Sequence, residues 1–207
     1  MKIGGLIKFT LIDFPGRPAA VVFTQGCNFR CRYCHNPELV YPHLYMEPMP
    51  QEELFAFLTR RQGTLEGVVV TGGEPTIHAD LLDFMAQIKA MGFALKLDTN
   101  GTRPEVLREA YARKLVDYVA MDLKAPLEKY SLITGVDFNP AILKESMQLI
   151  VQSGVPYEFR TTYDKTVLTD SDIEAIRALT DGTHYRVQEC LPVAKNKATL
   201  KVMHDEI

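Results

Sequence analysis

The chain has 207 residues, a net charge of −3 and a composition that is 46% apolar and 24% charged. These values are typical of a globular protein that folds in water, and the length predicts a single domain over residues 1–207. The isoelectric point near 6.0 argues against a nucleic-acid partner, because such binding usually needs a basic face.

Targeting and membrane segments are not expected either. The chain holds no run of about 18 apolar residues, which a membrane-spanning helix would need. The first residues, Met1-Lys2-Ile3-Gly4-Gly5, lack the apolar core of a signal peptide. We therefore expect a cytoplasmic protein with reduced cysteines, in which clustered thiols bind a metal or take part in catalysis.

Short apolar runs and amphipathic segments alternate along the chain. Residues before Ala19 are expected to be irregular, with a turn at Asp13-Phe14-Pro15-Gly16. Apolar, β-branched runs predict strands at 19–24, 67–71, 94–98, 116–123 and 157–162, and a weaker run predicts a sixth at 185–188. Apolar residues at helical spacing predict helices from near Pro50, at 79–91, at 104–113, at 140–153 and at 173–179.

This alternation indicates parallel strands joined by right-handed helical crossovers. Six strand–helix units are too few for a closed eight-stranded barrel. The predicted fold is therefore α/β, a partial (β/α)6 TIM-like barrel of parallel strands. A flat doubly wound sheet is the alternative.

Polar residues recur where the predicted strands end. In parallel barrels and open sheets, the carboxyl ends of the strands form the edge at which sites are built. The residues at these ends are Cys27, Glu74, Asp98, Asp122 with Lys124, and Arg160. We expect them to share one site.

Three of the four cysteines, Cys27, Cys31 and Cys34, lie within eight residues in the spacing C-x3-C-x2-C. Thiols this close bind a metal, form a strained disulfide or carry out redox chemistry. Zinc would need a fourth ligand, for which His35 and Cys190 are candidates. An iron–sulfur cluster held by three thiolates would instead leave one iron open to a substrate or cofactor.

The cysteine loop resembles the signature of the radical S-adenosylmethionine (SAM) enzymes, in which an aromatic residue, here Tyr33, precedes the last cysteine. Gly72-Gly73-Glu74-Pro75 resembles the GGEP motif of the same family. Leu97-Asp98-Thr99-Asn100-Gly101 and Asp122-Leu123-Lys124 resemble motifs of one subgroup, the glycyl-radical-enzyme activating enzymes. Within that subgroup, the chain is most similar to the activating proteins of anaerobic ribonucleoside-triphosphate reductase.

The resemblance implies that the three thiolates hold a [4Fe–4S] cluster and that SAM chelates its open iron. Reductive cleavage of SAM then gives a 5′-deoxyadenosyl radical, which abstracts hydrogen from a glycine of a large glycyl-radical enzyme. A flavodoxin- or ferredoxin-like electron donor is implied as well. The alternatives are an activase of the pyruvate formate-lyase type and a small-molecule radical SAM enzyme such as a 7-carboxy-7-deazaguanine synthase.

The same resemblance implies contacts to SAM near the cysteine loop. Tyr33 would pack near the adenine, or else serve as an ordinary aromatic anchor. Asn36 would contact SAM or cap the loop. The glycines of Gly72-Gly73-Glu74-Pro75 would let the backbone approach SAM, with Glu74 or its neighbouring backbone at the SAM ammonium group.

Further contacts are implied at the later strand ends. Asp98 and Asp122 would bind the ribose hydroxyls, the SAM amino group or, together with Thr99, a monovalent cation; the alternative is that they cap helices. Lys124 and Arg160 would pair with the SAM carboxylate or with the two aspartates as structural salt bridges.

The remaining cysteine, Cys190, is expected to be a buried thiol near the last strand rather than a fourth cluster ligand. The chain has no cysteine-rich insertion, so the additional ferredoxin-like clusters of some activating enzymes are not expected.

Overall fold

The computed structural model describes residues 1–180 and 183–189. Within them lie seven β-strands: β1 Ile3–Thr10, β2 Ala19–Thr24, β3 Gly67–Gly72, β4 Ala94–Thr99, β5 Tyr118–Asp122, β6 Tyr157–Tyr163 and β7 Tyr185–Glu189. Six α-helices lie between them: α1 Gln51–Arg61, α2 Leu81–Ala90, α3 Pro104–Ala112, α4 Tyr130–Thr134, α5 Ala141–Gln152 and α6 Asp170–Leu179. In this part of the chain, no helix has the length and apolar character needed to cross a bilayer.

The strands form one sheet in the order β1-β2-β3-β4-β5-β6-β7. All neighbours from β2 to β7 are parallel, as the alternating sequence pattern predicts. Because each crossover leads to the next strand in the same direction, right-handed connections place the helices on one face. A doubly wound sheet would reverse its strand order, so the partial, open barrel is confirmed and the flat alternative is wrong.

The two faces of the sheet differ in composition. Strand residues such as Val22, Val70 and Leu97 belong to the large buried cluster that also contains the helical residues Leu58, Phe84 and Leu107. On the inner face, Val21 and Val69 pack with Phe14 in a second, smaller cluster. Since side chains alternate along a strand, one face of the sheet binds the helices and the other is left for a site.

The helix boundaries follow from local chemistry. Helix α1 begins after Pro50 and has Glu52 and Glu53 in its first turn, where carboxylates interact favourably with the helix dipole. Helix α6 begins with a capping box, in which the Thr169 and Asp172 side chains satisfy each other's backbone N–H groups.

The expectation of irregular structure before Ala19 was wrong for residues 3–10. These residues form β1, which pairs antiparallel with β2 through contacts such as Leu6 with Val22. The pairing is irregular between Ile3 and Gly5 and between Ile7 and Thr10, so the apolar residues do not alternate cleanly. The tertiary pairing with β2 therefore creates a strand that the local pattern, with two adjacent glycines, does not predict.

Gly72, at the end of β3, is a point at which only glycine fits. It has φ +118°, and a Cβ there would lie 2.2 Å from the backbone nitrogen of Thr24. We predict that Gly72→Ala lowers the free energy of unfolding by more than the roughly 1–3 kcal/mol expected for backbone strain alone. Urea unfolding followed by circular dichroism measures this loss.

Gly92→Ala is the matched control for this prediction. Gly92 has φ +90°, but nothing lies within 4 Å of a Cβ built there, so only backbone strain should appear. Equal losses of stability in the two variants would contradict the close approach of β3 to β2.

Candidate functional site

A cavity of about 400 Å³ opens at the carboxyl ends of the parallel strands. Every residue predicted for the site lines it except Pro75. The lining residues among those predicted are Cys27, Cys31, Tyr33, Cys34, Asn36, Gly72, Gly73, Glu74, Asp98, Thr99, Asp122, Lys124 and Arg160. The tertiary structure thus brings the cysteine loop and the later strand ends to one place.

The cysteine loop is held by backbone hydrogen bonds from its neighbours. The Glu74 N–H donates to the Gly26 carbonyl at 2.8 Å, and the Gly26 N–H donates to the Leu39 carbonyl at 2.7 Å. Further along the loop, the Arg30 N–H donates to the Thr134 carbonyl at 2.7 Å. These bonds fix the loop at its start and beyond Cys27.

Gly73 allows this close packing. A Cβ at Gly73 would lie 2.0 Å from the carbonyl oxygen of Gly26. Any larger residue would therefore push the cysteine loop away from the end of β3.

A chain of amide and hydroxyl groups ties the cysteine loop to the segment after β4. The Asn100 side-chain amide donates to the Asn28 side-chain oxygen at 2.9 Å, and the Asn28 amide donates to the Thr102 hydroxyl at 2.8 Å. The Thr102 hydroxyl completes the chain by donating to the Asn100 side-chain oxygen at 2.7 Å. Because all three groups are paired, they orient the loop without leaving a buried donor free.

The thiols are partly buried and suited to a positively charged metal group. Burial raises the pKa of Cys27 to about 12, although the Phe29 N–H, which donates to its sulfur at 3.3 Å, lowers it in part. Burial also raises the pKa of Cys31 and of Cys34. Buried thiolates need a metal centre to offset the desolvation of their negative charge. Three such sulfurs are the ligands of an iron–sulfur cluster in which one iron is left open.

Within residues 1–180 and 183–189, no three His, Cys, Asp or Glu side chains are arranged to hold a single metal ion. His35, a candidate fourth ligand in the mononuclear zinc alternative, lines the cavity together with the three cysteines. The other candidate, Cys190, lies outside the described residues, and so does the prediction that it is a buried thiol.

Tyr33 joins the cysteine loop to the end of β5. Its side chain is 9% exposed, and its hydroxyl donates to the Lys124 carbonyl at 2.9 Å. Tyr33 therefore anchors the cysteine loop to the end of β5, and its ring also lines the cavity. Asn36 lines the cavity as well, and its side chain makes no capping bond to the helical turn that follows it.

Glu74 is a buried hub rather than a free carboxylate. One of its oxygens accepts hydrogen bonds from the Thr76 N–H, the Thr76 hydroxyl and the Thr99 hydroxyl at 3.0, 2.6 and 2.7 Å. The other accepts from the Asn100 N–H at 2.6 Å. Burial raises the pKa of Glu74, but these donors favour the charged form and oppose the rise.

A strand-end charge network crosses β4, β5 and β6. It consists of Lys96, Asp98, Asp122, Lys124, Glu158 and Arg160. The Arg160 guanidinium lies at its centre, 3.1 Å from Asp98 and 2.9 Å from Asp122. The alternative that Arg160 and Lys124 pair with the aspartates is thus seen in the structure.

Several cavity residues were not predicted from the sequence. Thr162 on β6 and Gln188 on β7 line the cavity, as does Asp13 from the turn before β2. Thr162 lies two residues after Arg160 on the same strand, so the period of two places both on the inner face. That spacing was a usable signal, whereas nothing local to Asp13 indicates that its turn reaches the cavity.

A family comparison agrees with this geometry. Residues 21–180 match the model of the Radical SAM superfamily. The matched region spans the cysteine loop, the Gly72-Gly73 turn and all the strand ends of the charge network. The chain therefore belongs to the radical SAM superfamily and is an enzyme with radical SAM chemistry, and membership implies a [4Fe–4S] cluster and SAM.

Two relatives in sequence carry names that refer to different activities. A protein of Methanocaldococcus jannaschii named "Putative glycyl-radical enzyme activating enzyme" is 35% identical over 197 residues, which cover 92% of this chain and 80% of that protein. A "Probable GTP 3′,8-cyclase" of Pyrococcus horikoshii is 33% identical over 138 residues, 65% of this chain and 44% of that protein. The chain therefore spans less than half of the cyclase.

The solved structure described as "Native anSMEcpe with bound AdoMet" has the same fold. The TM-score is 0.63 at 18% identity, and the match covers 81% of this chain and 50% of that one. At this identity the likeness concerns the fold alone.

The ion pairs of Asp122 predict a pH dependence of stability. Burial alone would raise the pKa of Asp122, but Arg160 and Lys124 outweigh it and hold this pKa well below its ordinary value. As the pH falls through about 4, the unfolded chain gains a proton at Asp122 before the folded chain does. We predict that the stability advantage of the apoprotein over Asp122→Asn is full at neutral pH and shrinks on acidification.

Urea unfolding of the apoprotein at several pH values measures this difference. Asp137, an exposed carboxylate in the loop between α4 and α5, provides Asp137→Asn as the matched control. An advantage over Asp122→Asn that stays constant as the pH falls would show that Asp122 is not held by this network.

Proposed function

We propose that this enzyme is an activase that installs a glycyl radical on a partner enzyme, and that the partner is an anaerobic ribonucleoside-triphosphate reductase. The observation that carries the proposal is that the three thiols and the charge network of the later strands line the same cavity. The similarity to a named activating enzyme over 92% of the chain supports the same reading.

Cys27, Cys31 and Cys34 would hold the [4Fe–4S] cluster of the family. When bound, this cluster supplies the electron that cleaves SAM into methionine and the radical that takes hydrogen from the partner's glycine. The chain's own part is to bind and orient SAM and to keep water out of the cavity.

We assign the contacts proposed for SAM to residues that line the cavity. Because Glu74 already accepts four hydrogen bonds, we assign the SAM ammonium group to the backbone of Gly72 and Gly73 rather than to the Glu74 carboxylate. Tyr33 and Asn36 lie beside the thiols and would contact the adenine side. Pro75 contributes by shaping the turn, since it lies outside the cavity wall.

The charge network offers partners for the SAM carboxylate and the ribose. Lys124 lines the cavity and, among the described residues, has one carboxylate partner, Asp122, at 2.9 Å. Its ammonium group retains donors with which to hold the SAM carboxylate. Asp98, Thr99 and Asp122 would then orient the ribose.

The partner and the electron donor follow from the proposed reaction. A glycine must enter the cavity from a protein large enough to protect the resulting radical, and a flavodoxin- or ferredoxin-like protein would reduce the cluster. Low-potential chemistry of this kind belongs in a reducing compartment such as the cytoplasm. An activase of the pyruvate formate-lyase type uses the same chemistry on another partner.

A small-molecule radical SAM enzyme is the second candidate. It is favoured by the 33% identity to the cyclase, but the chain spans only 44% of that protein. Consumption of GTP, or formation of 7-carboxy-7-deazaguanine from its precursor, by the cluster-loaded enzyme would identify this function.

We predict that the anaerobically reconstituted protein binds about four irons per chain and, once reduced, cleaves SAM to 5′-deoxyadenosine. Cys27→Ala, Cys31→Ala and Cys34→Ala should each abolish both properties, because each removes a thiolate ligand. Iron analysis and chromatography of the products provide the measurements.

Cys190→Ala is the matched control, since it removes a cysteine outside the cluster motif. It should keep the iron content and the SAM cleavage of the unmodified chain. Loss of iron in Cys190→Ala would make Cys190 a ligand and would contradict the three-thiolate site.

We also predict that a partner ribonucleotide reductase gains an organic radical when it is incubated with the reduced enzyme and SAM. Electron paramagnetic resonance of the mixture should show a doublet from the glycyl radical, and a partner whose glycine is replaced by alanine should show none. A mixture that yields 5′-deoxyadenosine without any radical on the reductase would rule out this partner.

A further inference from the structure

The charge network contains one cation, Lys96, that was not predicted from the sequence as a site residue. Lys96 lies on β4, two residues before Asp98, and the period of two places both side chains on the inner face. Its side chain is only 2% exposed, and its ammonium group is 2.7 Å from Oδ1 of Asp98. A buried lysine is costly to charge unless it is paired, so this contact is the reason it is tolerated.

Every oxygen of Asp98 and Asp122 has a cation within ion-pair distance, and the contact of Lys96 with Oδ1 of Asp98 is an ion pair without hydrogen-bond geometry. Oδ2 of Asp98 lies 3.1 Å from the Arg160 guanidinium. The oxygens of Asp122 lie 2.9 Å from Arg160 and 2.9 Å from Lys124, one oxygen to each cation. Each of the four carboxylate oxygens therefore already has a positively charged neighbour.

The remaining oxygen of the expected cation site is engaged as well. The Thr99 hydroxyl donates to Glu74 at 2.7 Å and accepts the Gly101 N–H at 3.1 Å. A monovalent cation at these oxygens would lie next to an ammonium or guanidinium group bound to the same carboxylate and would be repelled by it, whereas a neutral hydroxyl group would not repel it. The residues present do not fit the monovalent cation that was predicted from the sequence.

The charge balance gives the same result. The network holds the three cations Lys96, Lys124 and Arg160 and the three carboxylates Asp98, Asp122 and Glu158. Without the lysine on β4 the set would carry one net negative charge, which is the charge that a bound potassium or sodium ion would neutralise.

We propose that the Lys96 ammonium group is a built-in replacement for a monovalent cation at Asp98, and that this enzyme binds SAM without needing potassium or sodium. The part concerning SAM rests on the proposed function. Lys96 acts as a positioning residue, because it holds the Asp98 carboxylate from behind the cavity wall and does not line the cavity itself.

The test compares full-length, cluster-loaded protein in potassium, sodium and tetramethylammonium chloride at equal ionic strength. Two quantities are measured under anaerobic conditions: the dissociation constant for SAM and the melting temperature. For the unmodified chain, we expect the dissociation constant to differ by less than about twofold between the three salts, since ionic strength acts alike in each. Tighter binding in potassium or sodium by about tenfold, or a melting temperature raised by these ions only, would overturn the proposal.

Lys96→Ala leaves room for an ion beside Asp98. In tetramethylammonium chloride, its SAM affinity should fall roughly tenfold, because Asp98 loses a counter-charge in a buried setting. Potassium or sodium should recover part of both the affinity and the melting temperature. A variant that matches the unmodified chain in every salt would show that Lys96 does not serve as the counter-cation.

Two controls separate the possible outcomes. Lys89→Ala removes a more exposed lysine, whose ammonium lies 2.6 Å from Asp117 outside the network, and should show no response specific to potassium. Lys96→Ala combined with Asp98→Asn removes both charges and should abolish the potassium effect on the melting temperature. If Lys96→Ala does not fold, the salt comparison on the unmodified chain still tests whether the enzyme needs potassium or sodium.

The melting temperature keeps this inference separate from the proposed function. A protein that fails to cleave SAM, yet shows the predicted potassium effect only in Lys96→Ala, would refute the activase function and leave the charge replacement standing. If the enzyme cleaves SAM but requires potassium, the charge replacement is refuted and the proposed function is not.

Discussion

The buried carboxylate of Glu74 is the interaction on which the site depends. It accepts hydrogen bonds from the turn that follows β3 and from the end of β4. The backbone N–H of the same residue donates to Gly26, immediately before the first cysteine of the loop. One residue therefore joins three neighbouring strand ends, and removal of its carboxylate group would leave several buried donors unpaired.

The glycines beside Glu74 make this junction possible. Gly73 approaches the backbone of Gly26 so closely that no side chain fits between them. The usual reading of such a motif is that glycine admits a ligand. Here glycine also admits the cysteine loop, so the same residues set the position of the metal ligands and the shape of the cavity wall.

The inner face of the barrel is divided between apolar and charged residues. Near the amino ends of the strands, Phe14 packs with Val21 and Val69 and closes the interior. Towards the carboxyl ends, the charge network takes over, and its members neutralise one another. Such an arrangement excludes water below the cavity while presenting fixed charges to a polar ligand, which is what the handling of a reactive radical requires.

Much of this protein is determined by its sequence alone. Local patterns include the thiol spacing, the Gly72-Gly73-Glu74-Pro75 turn and the aspartates at the ends of β4 and β5. Parallel alternation brings these strand ends together whatever the details of packing. Only the tertiary structure decided the rest. The strand β1 exists because β2 offers it a partner, and Glu74 has its donors because two loops meet there. Asp98 on β4 pairs with Arg160 on β6 because a buried charge must find a counter-charge across the fold.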